Sequence, residues 1–306
     1  MTTEERVLSD GRTTPIAARR LPARGLRSIA RAIYIIWYRD MLRFWRDRAR
    51  MIGSLAQPLL FLVIFGTGLS SSLSGLGGGA GAGSGLAGAG ASVNYIQFMF
   101  PGIIGMSVLF SAIFGSMSIV WDREFGFMRE ILVSPIDRGA VAVGKALGGA
   151  TQAMIQGLII LVLAPFVGVP LTVTTVVLLI PFTFVLAFGL ASMGVAIASR
   201  MKSQQAFMII VNFLTMPIFF LSGALFPLTN LPAWMDVLTH INPASYGVDP
   251  LRRVVLGQGG FPSAAIDHLS LTIGGTVLPM ALEAVVVVVF GFVMLGIAIY
   301  NFRLRD

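Results

Sequence analysis

Beyond residue 50, apolar runs alternate with short polar breaks, and each run approaches the ~20 residues a helix needs to cross the hydrocarbon core of a bilayer. The runs are 51–69, 95–120, 141–167, 173–199, 207–225 and 277–300, and they predict six transmembrane helices. Residues 26–48 follow a different pattern. Leu26, Ile29, Ile33, Trp37 and Phe44 fall on one face at ~100° per residue, and Arg31, Arg39, Arg43, Arg46 and Arg48 fall on the other. A basic amphipathic helix with Trp and Tyr at its seam predicts an element lying in the membrane interface, although Asp40 spoils the apolar side. Residues 1–25 are Arg-, Thr- and Pro-rich and are expected to be mobile. The Gly/Ala/Ser tract 70–91 reads as a flexible linker.

Composition agrees with this division. The chain is 56% hydrophobic and 12% charged, about half the charge of a soluble domain. The expectation is an all-α membrane protein: a mobile basic N-terminus, an interfacial helix over 26–48 and a six-span domain over 51–300. No cysteine is present, which excludes disulfides and thiolate metal sites. The first fifty residues lack an early apolar core with a small-residue cleavage site, so the first span is expected to be retained.

Charge then orients the spans. The net charge is +8, and residues 1–50 supply nearly all of it, with twelve arginines against five acids. Such a segment beside a span suits an anionic leaflet rather than nucleic acid. With the N-terminus inside, the segments 1–50, 121–145, 200–203 and 301–306 are cytosolic. They hold every Lys and Arg except Arg252 and Arg253, as the positive-inside rule asks. Both termini are then cytoplasmic in a multi-pass protein of the cell membrane.

The stretch WDREFGFMREILVSPIDR, 121–138, is a charged island between two apolar runs and must sit in water while its neighbours sit in lipid. It predicts a cytosolic docking piece on which a soluble partner pushes. Residues 139–146 nearly spell a phosphate loop, but Ala146 stands where a hydroxyl would hold magnesium and no strand precedes it. Gly144 and Gly148 instead offer small-xxx-small spacing for close helix packing. His240 and His268 lack partners at metal spacing, and no span carries a His to activate Ser222, so neither a metal site nor an enzyme is expected.

Polar residues within spans are costly. Gln152 and Gln156, one turn apart, are read first as interhelical hydrogen-bonding groups, and Asn212 and Thr215 share a region of the fifth span. Glu283 either reaches the outer headgroups or pairs with Arg252 or Arg253. A lone carboxylate makes no proton relay. The second and fifth spans are rich in Phe and Met, which suits either an adaptable apolar surface or plain lipid-facing packing. Pro227, Pro232, Pro243 and Pro250 punctuate 226–276; 231–240 reads as a short helix with Pro232 in its first turn, and the segment is expected to dip back into the outer leaflet.

WDREFGFMREILVSPIDR after a second span resembles the cytosolic coupling segment of type-2 ATP-binding-cassette (ABC) exporter permeases, daunorubicin-resistance branch. LSGALFPLTNLPAWMDVLTHINPASYGVDPLRR is similar to that family's second hallmark, with Phe226, Pro227, Pro232, Asn242, Pro243, Tyr246 and Arg252 in place. The likeness spans residues 26–306; the long glycine-rich loop departs from it. It implies a half-transporter: two permeases, copies or paralogues, each seated on one of two ATPase subunits that hold ATP and magnesium, with no cofactor in this chain. Glu124, Phe125, Gly126, Arg129, Glu130, Ser134 and Pro135 would couple to the ATPase. Phe110, Phe114, Met117, Asn212, Phe213, Met216, Phe219 and Phe220 would line a path, capped by re-entrant outer helices over 226–256. The implied cargo is lipophilic or amphiphilic: drugs, polyketides or lipids. The alternatives are a permease for lipid-linked glycans and a non-transporting membrane scaffold.

Overall fold

The computed structural model describes residues 25–75, 95–125, 137–226, 228, 231–259, 262–273 and 276–304. The elements are α1 (Leu26–Arg46), α2 (Arg48–Gly75), α3 (Tyr95–Gly115), α4 (Met117–Glu124), α5 (Arg138–Leu161), a 3₁₀ turn (Ala164–Val167), α6 (Val173–Arg200) and α7 (Gln204–Phe220). They continue with α8 (Ala233–Ile241), α9 (Pro243–Gln258), α10 (Ser263–Leu269), β1 (Thr272–Ile273), β2 (Thr276–Val277) and α11 (Met280–Leu304). The all-α expectation therefore holds apart from one two-residue antiparallel pair, Thr272 opposite Val277 and Ile273 opposite Thr276.

Among the described residues, four helical stretches are long and apolar enough to cross a membrane: Ile96–Glu124, Arg138–Phe166, Val173–Arg200 and Met280–Leu304. A fifth is added if α1 and Met51–Gly66, which meet at 70°, count as one bent span. Six spans were expected, and α7 accounts for one difference. It has 17 residues, about 25 Å at ~1.5 Å per residue, short of the ~30 Å hydrocarbon core. Apolar letters continue to Leu225, but the Ser222 hydroxyl donates to the Phe219 carbonyl at 2.7 Å and Gly223 turns the backbone at φ +73°. Hydrophobicity alone does not reveal that turn. α2 runs on to Gly75, six residues into the tract read as linker. The rest of that tract lies outside the described residues, as do residues 1–24.

The second span is the core. It is α3 and α4 joined at Ser116, whose hydroxyl donates to the Ala191 carbonyl at 3.4 Å. In its most apolar window 83% of positions are buried, against 28% in α11. A helix apolar all round belongs inside a bundle, and here α2, α5, α6, α7, α9 and the 3₁₀ turn pack against it. Glycine permits the closest approach. A Cβ on Gly102 would lie 2.2 Å from the Ala224 carbonyl oxygen, so only glycine lets α3 touch the turn after α7.

α1 breaks from α2 at Asp47. It packs along α5 where Gly144 meets Ile36 and Gly148 meets Asp40. The small-xxx-small reading of α5 is thus satisfied by α1 in particular. The two glutamines of α5 hold α1 and α2 in turn. Gln152 Nε2 donates to the Asp40 carbonyl at 3.1 Å, and Gln156 Nε2 donates to the Met51 carbonyl at 3.2 Å and to Ser54.

Candidate functional site

The charged island begins at the end of this central column, and its first residues are fastened on two sides. On one side Asp122, at the last turn of α4, is buried. Its Oδ2 accepts from Lys145 Nζ at 2.9 Å and from Arg39 Nη2 at 3.0 Å. Lys145 Nζ also donates to Asp40 Oδ1 at 3.2 Å and to Ser118 Oγ at 2.9 Å. An ammonium carries three protons, and each finds an acceptor, which a buried lysine needs to remain charged. Arg43 stands 3.7 Å from Asp122 and lies over the Trp121 ring at 5.5 Å. One knot of charge thereby ties the interfacial α1, the tip of α4 and the start of α5.

On the other side the same tip grips the loop between α6 and α7. Arg123 Nη1 donates to the carbonyls of Ser199 and Met201 at 3.1 and 2.6 Å, satisfying orphan groups at the C-terminus of α6. Trp121 Nε1 donates to Gln204 Oε1 at 2.8 Å, and Glu124 Oε2 accepts from the Gln204 amide at 3.3 Å. Ser203 caps α7 through the Ala206 amide, so Glu124 adds a negative charge at that helix N-terminus. Phe125 follows, 72% exposed among the described residues. Of the expected coupling residues, Glu124 and Phe125 are placed; Gly126, Arg129, Glu130, Ser134 and Pro135 lie outside the described residues. The segment returns at Asp137, whose carboxylate accepts from the Gly139 amide at 2.7 Å and caps α5. Residues 139–146 are therefore helix rather than a phosphate loop, and the Lys145 amine is fully engaged.

The opposite end of the column holds a second knot. Arg252 is buried, with its guanidinium 4.6 Å over the Phe98 ring. It donates to the carbonyls of Leu269, at 3.3 Å, and Gly223. Arg253 bridges Asp249 at 2.6 Å and Glu283 at 2.9 Å. Of the choices left open for Glu283, the structure selects a pair with Arg253, and places Glu283 in the first turn of α11 rather than two turns in. Asn242 Oδ1 accepts from the Ala244 amide at 3.0 Å to cap α9, its Nδ2 donates to the Ile218 carbonyl at 2.8 Å, and Pro243 takes the first turn. Tyr246 Oη donates to the His240 carbonyl at 2.8 Å. Pro232 precedes α8 as its cap residue, and Phe226 packs against both hydrophobic clusters. Pro227 lies outside the described residues.

The expected path residues divide. Phe110 and Met117 are buried in the core, with Phe114 part-buried and stacked on Phe110 at 6.0 Å. On α7, Phe219 is buried against Phe61 of α2 at 6.0 Å. Asn212, Phe213, Met216 and Phe220 are exposed, Phe213 to 82%. Within one chain the two sets do not face each other.

Sequence reasoning offered the Arg253–Glu283 pair as one alternative and missed the knot around Lys145. The signals were present: Asp40 is the acid on the apolar side of an amphipathic helix, and Lys145 lies inside an apolar run. Each is costly alone, and together they neutralise each other.

The chain matches the family model described as ABC-2 type transporter over residues 31–256. It is 27% identical to Nodulation protein J of Rhizobium meliloti (strain 1021) over 258 residues, covering 83% of this chain and 88% of that one. It is 25% identical to the candidate transport permease ycf38 of Cyanophora paradoxa over 243 residues, 78% and 79% of the two chains. A candidate multidrug ABC transporter permease of Escherichia coli (strain K12), YbhR, is 31% identical over 173 residues, 54% of this chain and 45% of that protein.

Proposed function

The chain belongs to the ABC-2 type transporter family, whose members include transport permeases, and from that premise we propose that it is the membrane-spanning subunit of an ABC exporter for lipophilic or amphiphilic compounds. ATP is hydrolysed, with magnesium, in two separate ATPase subunits, and a second permease, a copy or a paralogue, completes the path. The chain crosses the cytoplasmic membrane six times, with α2 as the first crossing and the short α7 as the fifth, and both termini are cytosolic.

The observation that carries this reading is the double fastening at the tip of α4. A push delivered at Glu124–Phe125 enters the most buried helix directly, and Asp122 and Arg123 pass it at once to α1, α5 and the α6–α7 loop. Stiff joints to packed helices turn a local displacement into helix tilt. Exposed Phe213, Met216 and Phe220 favour hydrophobic cargo over glycans, since soft apolar side chains adapt to varied guests.

The test is co-reconstitution with the cognate ATPase. Lipophilic compounds are expected to stimulate ATP hydrolysis and to cross the bilayer. Glu124→Ala and Gly126→Pro are expected to insert normally yet lose that stimulation. Normal transport by both variants refutes the coupling assignment, and the absence of stimulation or movement for every compound points to the scaffold.

A further inference from the structure

α11, the last crossing, packs on α6, α5 and α9. Its C-terminal turn buries a polar residue, Asn301, between Tyr300 and Phe302. A buried amide is costly unless both of its ends are met, and here both are. Asn301 Nδ2 donates to Ser199 Oγ at 2.9 Å, and Asn301 Oδ1 accepts from Arg200 Nε at 3.2 Å. Ser199 and Arg200 are the last two residues of α6, so the amide clamps the C-terminal end of α11 to that of α6. Ser199 is also a residue that the tip of α4 grips. Its carbonyl accepts from Arg123 Nη1 at 3.1 Å, while its hydroxyl accepts from Asn301 and donates to the Ala196 carbonyl at 2.6 Å. One fully buried serine thereby joins α4, through its backbone, to α11, through its side chain. The return of the charged island adds a weaker, exposed contact, Arg138 Nη1 to the Arg303 carbonyl at 3.5 Å.

We infer that Asn301 is a positioning residue for energy coupling: through Ser199 it locks α11 to the tip of α4, so a displacement entering at Glu124–Phe125 moves the last crossing together with α6. The inference rests on the permease reading and deepens it by adding α11 to the elements that move. Geometry favours transmission over packing alone. A hydrogen-bonded amide fixes orientation as well as distance, whereas purely apolar contact lets one packed helix slide along another. The backbones of α6 and α11 approach closely elsewhere: a Cβ on Gly291 would stand 3.2 Å from Gly189 Cα. That approach gives a pivot. The clamp, about 15 Å further along α11 at ~1.5 Å per residue, gives the point at which force is applied.

The experiment uses the whole permease assembled with its ATPase, labelled chains being diluted with unlabelled permease so that distances within one chain are read. The chain has no cysteine, so spin labels can be placed by substitution alone. One pair is Leu304→Cys, at the end of α11, with Phe166→Cys, beyond α5; the other is Lys202→Cys, after α6, with Phe166→Cys, and all three positions are exposed. In an otherwise wild-type chain a non-hydrolysable ATP analogue is expected to shift both distances by roughly 2–5 Å, between a small helix shift and a one-turn step. Asn301→Leu removes both polar atoms. It is expected to abolish the shift at position 304, while the shift at 202 and retention of the ATPase on size-exclusion chromatography persist. Asn301→Asp is expected to restore the shift, because its carboxylate accepts from Arg200 and from the Ser199 hydroxyl. Ser199→Ala, a milder change that leaves the backbone carbonyl on Arg123, is expected to repeat the Asn301→Leu result. A shift at 304 that survives Asn301→Leu and Ser199→Ala, or that Asn301→Asp does not restore, overturns the inference and leaves the permease reading standing. A wild-type complex in which neither pair moves overturns both.

Discussion

At the Glu124 end of the central column Lys145 meets Asp40 and Asp122; at the opposite end Arg253 meets Asp249 and Glu283. Each knot pins three or more elements with two carboxylates. They differ in water and in completeness. Around Lys145 all three ammonium protons are used, and Arg39 and Arg43, each nearly half exposed, complete the rim. Around Arg253 the side chains are almost fully dry; Asp249 Oδ1 stands 4.0 Å from Arg252 Nη1 without a hydrogen bond, and Glu283 Oε2 and the Nε atoms of both arginines lack a hydrogen-bond partner among the described residues. A wet knot with spare arginines can exchange partners as helices shift, because each lost bond is replaced by water or a neighbouring guanidinium. A dry knot cannot, since each unpaired charge keeps its desolvation cost. The Lys145 knot is thus built to move under load and the Arg253 knot to hold the fold of α9, α11 and the turn at Gly223.

Removing one dry partner tests this most severely. Arg253→Met leaves Asp249 and Glu283 side by side without their shared cation. Breaking a buried pair costs about 3–5 kcal/mol, so monodisperse protein is expected to be lost from detergent extracts. Pairing the change with Glu283→Met removes one stranded carboxylate and is expected to recover part of the yield, measured by size-exclusion chromatography. Equal yields from wild type and Arg253→Met would show that the outer knot is not a lock.

At the wet knot Lys145→Met is expected to cost less, about 1–3 kcal/mol for leaving buried acceptors unmatched, because Arg39 and Arg43 can lean in. The sharper readout is functional: cargo-stimulated ATP hydrolysis is expected to fall several-fold more than the basal rate. A double-mutant cycle with Asp40→Leu measures the pair itself. A Lys145→Met protein that unfolds as badly as Arg253→Met would erase the distinction between the two ends.

Much of this architecture was legible in the sequence because lipid writes simple rules. The fourth span, expected over 173–199, is α6 at Val173–Arg200, since a bilayer demands length and apolarity and nothing interrupts them there. The glutamines of α5 were readable for the same reason. The early end of α7 was not, because Gly223 and Ser222 act through backbone conformation. Asp40 looked like a flaw because its partner lies more than a hundred positions away: only the fold brings Lys145 to it, and single-sequence periodicity carries no long-range pairing. Most path residues were legible as soft and apolar, but α3 and α4 turn theirs inward while α7 turns all of its own except Phe219 outward.

The mildest test lies at the water-exposed edge of the outer assembly, where α8 meets β1. His240 Nδ1 lies 2.8 Å from the Asp236 carbonyl oxygen, and Nε2 lies 3.0 Å from that of Thr272. Two acceptors ask both ring nitrogens to carry protons. Partial burial works against the charged ring, but the two carbonyls and the Asp236 carboxylate outweigh it and raise the His240 pKa above the ordinary value. A raised folded-state pKa means the imidazolium stabilises the fold. That contribution is fully present below about pH 6.5, the ordinary value for the unfolded chain, and is lost as pH rises through the folded value. The melting temperature of the detergent-purified protein is therefore expected to fall slightly between pH 6 and pH 9, by roughly one to two degrees for a fraction of a kcal/mol. In His240→Asn that increment of the slope is expected to vanish. A His240→Asn protein with the full wild-type slope would show that the His240 ring carries none of this dependence.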